Sequence, residues 1–266
     1  MLKLSFAILA LCASSVFSSP VKKRQRCCIA LTFDDGPYIY ERGSLSDTPG
    51  THMLTSETED ISDTLTQYGA KGTFFVNGDN WACIYDPDMA SQVVHAYNAG
   101  HQFGSHTWQH QDLSTLSWDN VHDQMWRTEQ ALQKIIGVSP AFMRPPYGNY
   151  NDNVRAAAAN RNQSLVLWDF DSGDSTGSSV SQSEQAYTDL LNSRPDNILP
   201  LNHETYETTA HDILPWLLQQ LKNKGYNMVT LATCLGKSPY KKEGTTYQPS
   251  PRDGSWACGN TNSKKH

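Results

Sequence analysis

Ile29-Ala30-Leu31-Thr32-Phe33-Asp34-Asp35-Gly36-Pro37 is an apolar, β-branched run that stops at two adjacent carboxylates and a Gly-Pro pair. A short run of this composition, closed by turn residues, predicts a strand. Outward from it, Gly72–Asn77, Ser164–Trp168, Asn197–Leu201 and Tyr226–Leu231 are runs of the same kind. Ala141–Met143 and the stretch around Gln102-Phe103-Gly104 are weaker candidates. Between them lie amphipathic segments. In Ser117–Ile136, Val121, Met125, Leu132 and Ile136 stack on one helical face, with Ser117 placed to cap the start and Gly137 to end it. Ala210–Lys224 puts Ile213, Leu217 and Leu221 on one face and stops at Gly225. Glu57–Tyr68 and Asp88–Ala99 are followed by Gly69 and Gly100. A strand–helix repeat of roughly 25–40 residues predicts an α/β fold of parallel strands and crossover helices, either an open sheet or a barrel.

Two segments lack a period. Tyr38–Thr55 is polar and rich in Ser, Thr and Gly, and is read as an extended surface loop; the chain from Lys237 is read as an irregular C-terminal tail, pinned by Cys258. At the other end, Lys3, the apolar run Leu4–Phe17 and the small residues Ser18 and Ser19 follow the pattern of a secretory signal peptide over residues 1–18. The apolar run is short for a membrane span. Residues 19–27 form a short propeptide or linker, with Lys22-Lys23-Arg24 available to a dibasic processing protease.

Composition narrows the partners. A chain of 266 residues with net charge −6 can bury one core, and its charge disfavours nucleic acid and anionic membranes. Loss of the signal peptide removes Cys12 and leaves Cys27, Cys28, Cys83, Cys234 and Cys258, without C-x-x-C spacing. In an oxidising compartment these are disulfide candidates, an odd number of them. Asn162-Gln163-Ser164 is the one glycosylation sequon. The expected location is extracellular or cell wall, and a monomer is the expected state.

The chemistry-bearing residues fall at strand exits. Asp34-Asp35 repel one another, and burying both is costly without a cation or donors; taken alone the pair also fits a solvated turn. His106 and His110 are four apart, which on a helical turn places both imidazoles on one side as a two-His metal clamp. Arg144-Pro145-Pro146-Tyr147-Gly148 is stiffened by its prolines. Asp171-Ser172-Gly173-Asp174 and Leu201-Asn202-His203 close two further runs. Each is weak by itself; their joint placement at the C-terminal ends of strands, where α/β folds collect their sites, is not.

Taken in order, Thr32–Pro37, His106–His110, Arg144–Gly148, Asp171–Asp174 and Leu201–His203 resemble the five motifs of the carbohydrate esterase family 4 polysaccharide deacetylases (NodB homology domain). The resemblance runs from Cys28 to Gly236, making 28–236 the catalytic domain and 237–266 the tail. Phe74–Gly78 with Asn80-Trp81, and Cys234-Leu235-Gly236, look like the fungal chitin deacetylases. The fold so implied is a single-domain, distorted (β/α) barrel of about seven parallel strands.

The resemblance implies that Asp35, His106 and His110 ligate a divalent metal, usually Zn2+, with Co2+ or Mn2+ as substitutes. Asp34 is then the general base, positioned by Arg144; His203 is the general acid, oriented by Asp174. The backbone N–H of Tyr147 stabilises the oxyanion, and Leu201 and Trp108 surround the acetyl methyl and sugar ring. Cys27 or Cys28 pairs with Cys234. Three departures from the family pattern stand out: Ser175 where an aromatic follows the fourth motif, a longer Tyr38–Thr55 loop, and adjacent cysteines in place of one. The implied substrate is chitin or chitin oligosaccharides. An acetyl xylan esterase using the same site, and an inactive secreted carbohydrate-binding protein, are the competing readings.

Overall fold

The opening run forms two short strands in succession, β1 (Cys28–Ile29) and β2 (Thr32–Asp34). A computed structural model of the chain describes residues 28–41, 54–55, 57–241 and 248–259. The expected signal peptide, the 19–27 segment, Cys27 and much of the Tyr38–Thr55 loop lie outside them. Chain order continues with β3 (Tyr40–Glu41), β4 (Leu54–Thr55), α1 (Glu57–Gln67), β5 (Thr73–Val76), α2 (Pro87–Asn98) and β6 (Gln102–Ser105). Then come α3 (Trp118–Ile136), β7 (Phe142–Met143), α4 (Asp152–Asn160), β8 (Ser164–Leu165), β9 (Phe170–Asp171) and α5 (Val180–Asn192). Last are β10 (Asn197–Ile198), β11 (Pro200–His203), a π-helical turn at Thr209–Ile213 leading into α6 (Leu214–Lys224), β12 (Asn227–Met228) and α7 (Leu231–Leu235).

Seven strands form one sheet in the order β8-β7-β6-β5-β2-β11-β9, and every pairing in it is parallel. Its two edge strands, β8 and β9, are consecutive in the chain. Their linker bonds to both sides: Val166 N–H donates to Met143 O at 2.9 Å and Asp169 N–H to Leu199 O at 3.0 Å. The sheet therefore curls into an incomplete barrel, as the family resemblance implies. A three-stranded parallel sheet, β10-β1-β12, continues it at the N-terminal end of the strands, and β3 and β4 pair antiparallel. The latter pairing gives the expected loop a strand at each end.

Register explains the core. Phe33, Phe74 and Phe103 are cross-strand partners, stacked with ring centroids 5.4 and 5.6 Å apart. They share a buried cluster with Ile61 and Leu65 of α1 and Leu217 and Leu221 of α6. Because side chains alternate along a strand, Asp34 and Phe75 one residue on face the barrel interior. The long helix is placed as its sequence predicts: Ser117 Oγ accepts from Asn120 N–H and Gly137 adopts φ 71°. Gly225, at φ 76°, ends α6 in the same left-handed conformation.

Cys28 is bonded to Cys234 and Cys83 to Cys258. The first ties β1 to α7; the second ties the tail to the segment after β5. The tail is also held by Lys241 on the buried Glu129 of α3 and by Arg252 on the Tyr85 carbonyl. Among the described residues, no helix is long and apolar enough to cross a membrane.

Candidate active site

The C-terminal ends of β2, β6, β7 and β11 meet at a cleft of about 310 Å³. Asp34, Asp35, His106, His110 and His203 line it, with Pro145, Tyr147, Trp168, Ser175 and Leu201 as its walls. Parallel register brings residues distant in sequence together here: His203 is the Cα partner of Asp34, and Leu201 that of Thr32.

Asp34 is buried, and its Oδ1 accepts from Arg144 Nη1 at 2.8 Å. Arg144 is itself fully buried. Its Nη1 also donates to Thr32 Oγ1 (2.7 Å) and its Nη2 to Leu167 O (3.0 Å), while the guanidinium lies 4.4 Å from the Phe75 ring centroid. Four groups thus fix one cation that faces one carboxylate. Burial pushes the Asp34 carboxyl above the usual carboxylate range, against the pull of Arg144 and His203. A carboxylate so placed is a stronger base than one in water.

His106 and His110 do converge, though not on a helical turn. They flank an irregular loop after β6 in which Thr107 has φ 73° and His110 φ 53°. Asp35 (φ 77°) and Tyr147 (φ 59°) share this left-handed backbone. Such conformations cost of order 1–3 kcal/mol each in non-glycine residues and cluster at functional sites. Here they turn the side chains inward: Asp35 Oδ1 lies 3.6 Å from His106 Nε2 and 3.3 Å from His110 Nε2.

These three residues fit a divalent cation. The Nδ1 of His106 faces the Arg144 carbonyl at 2.8 Å, which can only accept, so that nitrogen carries the proton. Burial, with His110 nearby, pulls the His106 pKa down to about 3, leaving a neutral ring with a bare Nε2. That lone pair points at the oxygens of Asp35 and Asp34 (3.7 Å to the latter), and Asp35 Oδ1 is buried without a hydrogen-bond partner. Lone pairs aimed at one another call for a cation among them. A second group, Glu59, Asp63 and His95, sits on the outer faces of α1 and α2, away from the cleft. There both ring nitrogens of His95 already face a carboxylate, at 2.7 and 3.5 Å, as in a half-exposed ion pair.

Across the cleft, His203 Nδ1 pairs with Asp174 Oδ1 at 2.8 Å. Asp174 Oδ2 accepts from the His203 backbone N–H (2.7 Å) and from Thr209 Oγ1 (2.8 Å). Burial works against a charge on His203, but Asp174, with Asp34 and Asp35 beyond it, outweighs this and raises its pKa to about 9.

One expected site residue lies elsewhere. Trp108 does not line the cleft: it is 1% exposed and packs beneath Gly78, where an added Cβ would come within 1.8 Å of its ring. Tyr85 and the Arg127 guanidinium (4.2 Å from the centroid) complete its surroundings. It is a core residue. Asn162 is exposed on the turn after α4.

Two features have no counterpart in the sequence reading. Trp168 forms the wall where β8 leads toward β9, its ring 5.7 Å from Arg144. Glu204 is fully buried behind the metal-type cluster, accepts from Thr58 Oγ1, and donates its backbone N–H to Asp34 O at 3.1 Å. Burial pushes its pKa up to about 8, and its carboxyl fills the space that Gly36 leaves open. A lone Glu after a His carries no spacing signal; only the fold reveals it.

Residues 21–166 match the polysaccharide deacetylase family. The chain belongs to that family. It is 32% identical to a chitin deacetylase of Pestalotiopsis sp over 95% of this chain and 86% of that protein. It is 33% identical to a peptidoglycan-N-acetylglucosamine deacetylase of Bacillus cereus, over 85% of this chain and 74% of the other. The structure of the chitin deacetylase from Colletotrichum lindemuthianum superposes with a TM-score of 0.71 at 28% identity, covering 84% of this chain and 95% of that one. The polysaccharide deacetylase assignment and the donor set of Asp35, His106 and His110 describe one metal-dependent deacetylase centre.

Proposed function

We propose that this polysaccharide deacetylase removes N-acetyl groups from N-acetylglucosamine units of chitin or chitin oligomers, releasing acetate and leaving chitosan. The observation that carries the reading is one cleft holding a three-residue metal set between two ordered pairs, Asp34–Arg144 and His203–Asp174. Chitin as the polymer is supported by the similarity to two fungal proteins named as chitin deacetylases.

Two imidazole nitrogens and one carboxylate oxygen suit zinc, with Co2+ or Mn2+ as substitutes. Asp35, His106 and His110 would hold the cation, and what it would supply there is Lewis acidity toward the acetyl carbonyl and a lowered pKa, toward ~7, for a water. Asp34 accepts the proton of the attacking water while Arg144 holds the carboxylate in place. The Tyr147 backbone N–H donates to the oxygen on which negative charge develops. His203, kept protonated by Asp174, gives its proton to the departing amine as the C–N bond breaks. Leu201 and Trp168 bound the acetyl methyl. Export is part of the proposal, supported by the N-terminal pattern and by two disulfides, which persist in oxidising compartments.

The similarity to the Bacillus cereus protein favours a second reading, with the N-acetylglucosamine units of peptidoglycan as substrate. Acetate release from chitin oligomers, peptidoglycan and acetylated xylan, compared at equal enzyme, tests the proposal. Preference for chitin oligomers is expected; release from peptidoglycan or xylan alone would overturn the assignment of the polymer.

A further inference from the structure

The outer face of α3 carries an aromatic ridge with no part in the cleft. Trp118, His122 and Trp126 follow one another at i, i+4 and i+8, and the two indoles are 39% and 47% exposed. Beside them Asp119 and Asp123 form a second row, and the two rows border a shallow, open depression. The buried side of the helix, with Val121, Met125 and Leu132 in the core, makes the platform rigid.

The ring between the indoles is fixed as well. His122 Nδ1 lies 3.0 Å from Arg161 Nη1, which can only donate, and Nε2 lies 3.0 Å from Asn160 Oδ1, which can only accept. Both ring nitrogens of His122 are thereby engaged, which fixes the orientation of the ring. Its ring packs 5.7 Å from that of Trp118. Two half-exposed indoles aligned on a rigid, polar-edged helix face form an aromatic patch of the kind that marks interaction surfaces.

We propose that this ridge is a second, non-catalytic glycan site, which takes an extended amino-sugar chain bearing free amino groups. The ligand follows from the chemistry of the two rows. Indole faces stack on the C–H faces of sugar rings, and eight residues of helix separate the two indoles by ~12 Å along the axis, the scale of a disaccharide. Asp119 and Asp123 then meet the ammonium groups, which the indoles also attract through their ring quadrupoles. Arg127 comes no closer than 4.0 Å to Asp123, since its guanidinium is engaged by the Trp108 ring and the Cys258 carbonyl. A site for a wholly neutral polymer has no use for two carboxylates.

This identification rests on the function proposed above, because deacetylation is what creates the amino groups. The ridge starts on the segment that follows His110, at the end of the sheet where the cleft lies. A chain gripped there keeps the enzyme beside polymer it has begun to process, raising its effective concentration.

The test is calorimetric titration of the full-length, metal-loaded protein with glucosamine oligomers at low and high salt, which need no turnover. Trp118→Ala/Trp126→Ala should bind roughly tenfold or more weakly. Asp119→Asn/Asp123→Asn should bind more weakly and lose the salt dependence. Both should release acetate from short acetylated oligomers at the unaltered rate. No binding by the native protein, or binding that neither variant weakens, overturns the proposal. Failure of the catalytic reading would show separately, as absence of acetate release by the native protein.

Discussion

Asp34 and His203 are register partners on adjacent parallel strands, so the two groups assigned opposite proton-transfer roles stand side by side at strand ends. Each has its own buried partner, Arg144 for Asp34 and Asp174 for His203. One environment holds a carboxylate ready to accept a proton and the other holds an imidazole that keeps one. Their separation in protonation state comes from these partners, not from the side chains themselves.

Asp174→Asn should move the alkaline limb of the pH–rate profile. The folded pKa of His203, about 9, lies above its ordinary 6.5, so the protonated form is favoured and activity is lost as pH rises through about 9. The stability this contributes is complete below pH 6.5 and is lost over the same rise. Without the Asp174 charge, burial dominates and the limb should shift to lower pH. An unmoved limb would dissociate it from His203.

Arg144→Met should cost about 3–5 kcal/mol of stability, because it leaves the Asp34 carboxylate buried and unpaired. Adding Asp34→Asn should recover part of the loss. Chemical denaturation of the single and double variants measures both effects, and equal, additive losses would mean that the two groups are not coupled.

Trp108→Ala should destabilise the fold by about 3–5 kcal/mol while leaving KM for chitin oligomers nearly unchanged, as for a core residue under Gly78. A large rise in KM in a protein of native stability would return Trp108 to the cleft.

Gly36→Ala should reduce both stability and turnover, since its Cβ would sit 1.9 Å from the Glu204 carboxyl carbon. Overpacking of this kind costs about 1–3 kcal/mol. A concurrent Glu204→Ala should relieve the clash; if melting temperature does not recover, the contact is not the cause.

The sequence revealed most where pattern and packing coincide. Thr32–Asp34 and Thr73–Val76 are legible because buried parallel strands are apolar without alternation. Phe170–Asp171 is not legible because two residues are too few for any period. The helix Val180–Asn192 was hidden by its serine- and glutamine-rich surface, although Ser179 and Gln182 form a capping box at its start. Tyr226–Leu231 gives only Asn227–Met228 as strand, after which Thr230 caps a helix. At the site, His106 and His110 converge through an irregular loop and not through the helical turn that their spacing predicts, since left-handed backbone at a His or Thr has no signature in composition. Glu204 has no signal in the sequence, because its burial beside Gly36 is a product of the fold.

The central claim is a metal-dependent hydrolysis carried by Asp35, His106 and His110 with Asp34 as base. It is tested most directly by acetate release from chitin oligomers with chelator, with zinc restored, and with Asp34→Asn. The account predicts release that chelator abolishes and zinc restores, and a fall of about 10²–10⁴-fold in Asp34→Asn with zinc still bound. Undiminished release under chelator in protein shown to be zinc-free, or undiminished release by Asp34→Asn, would contradict it.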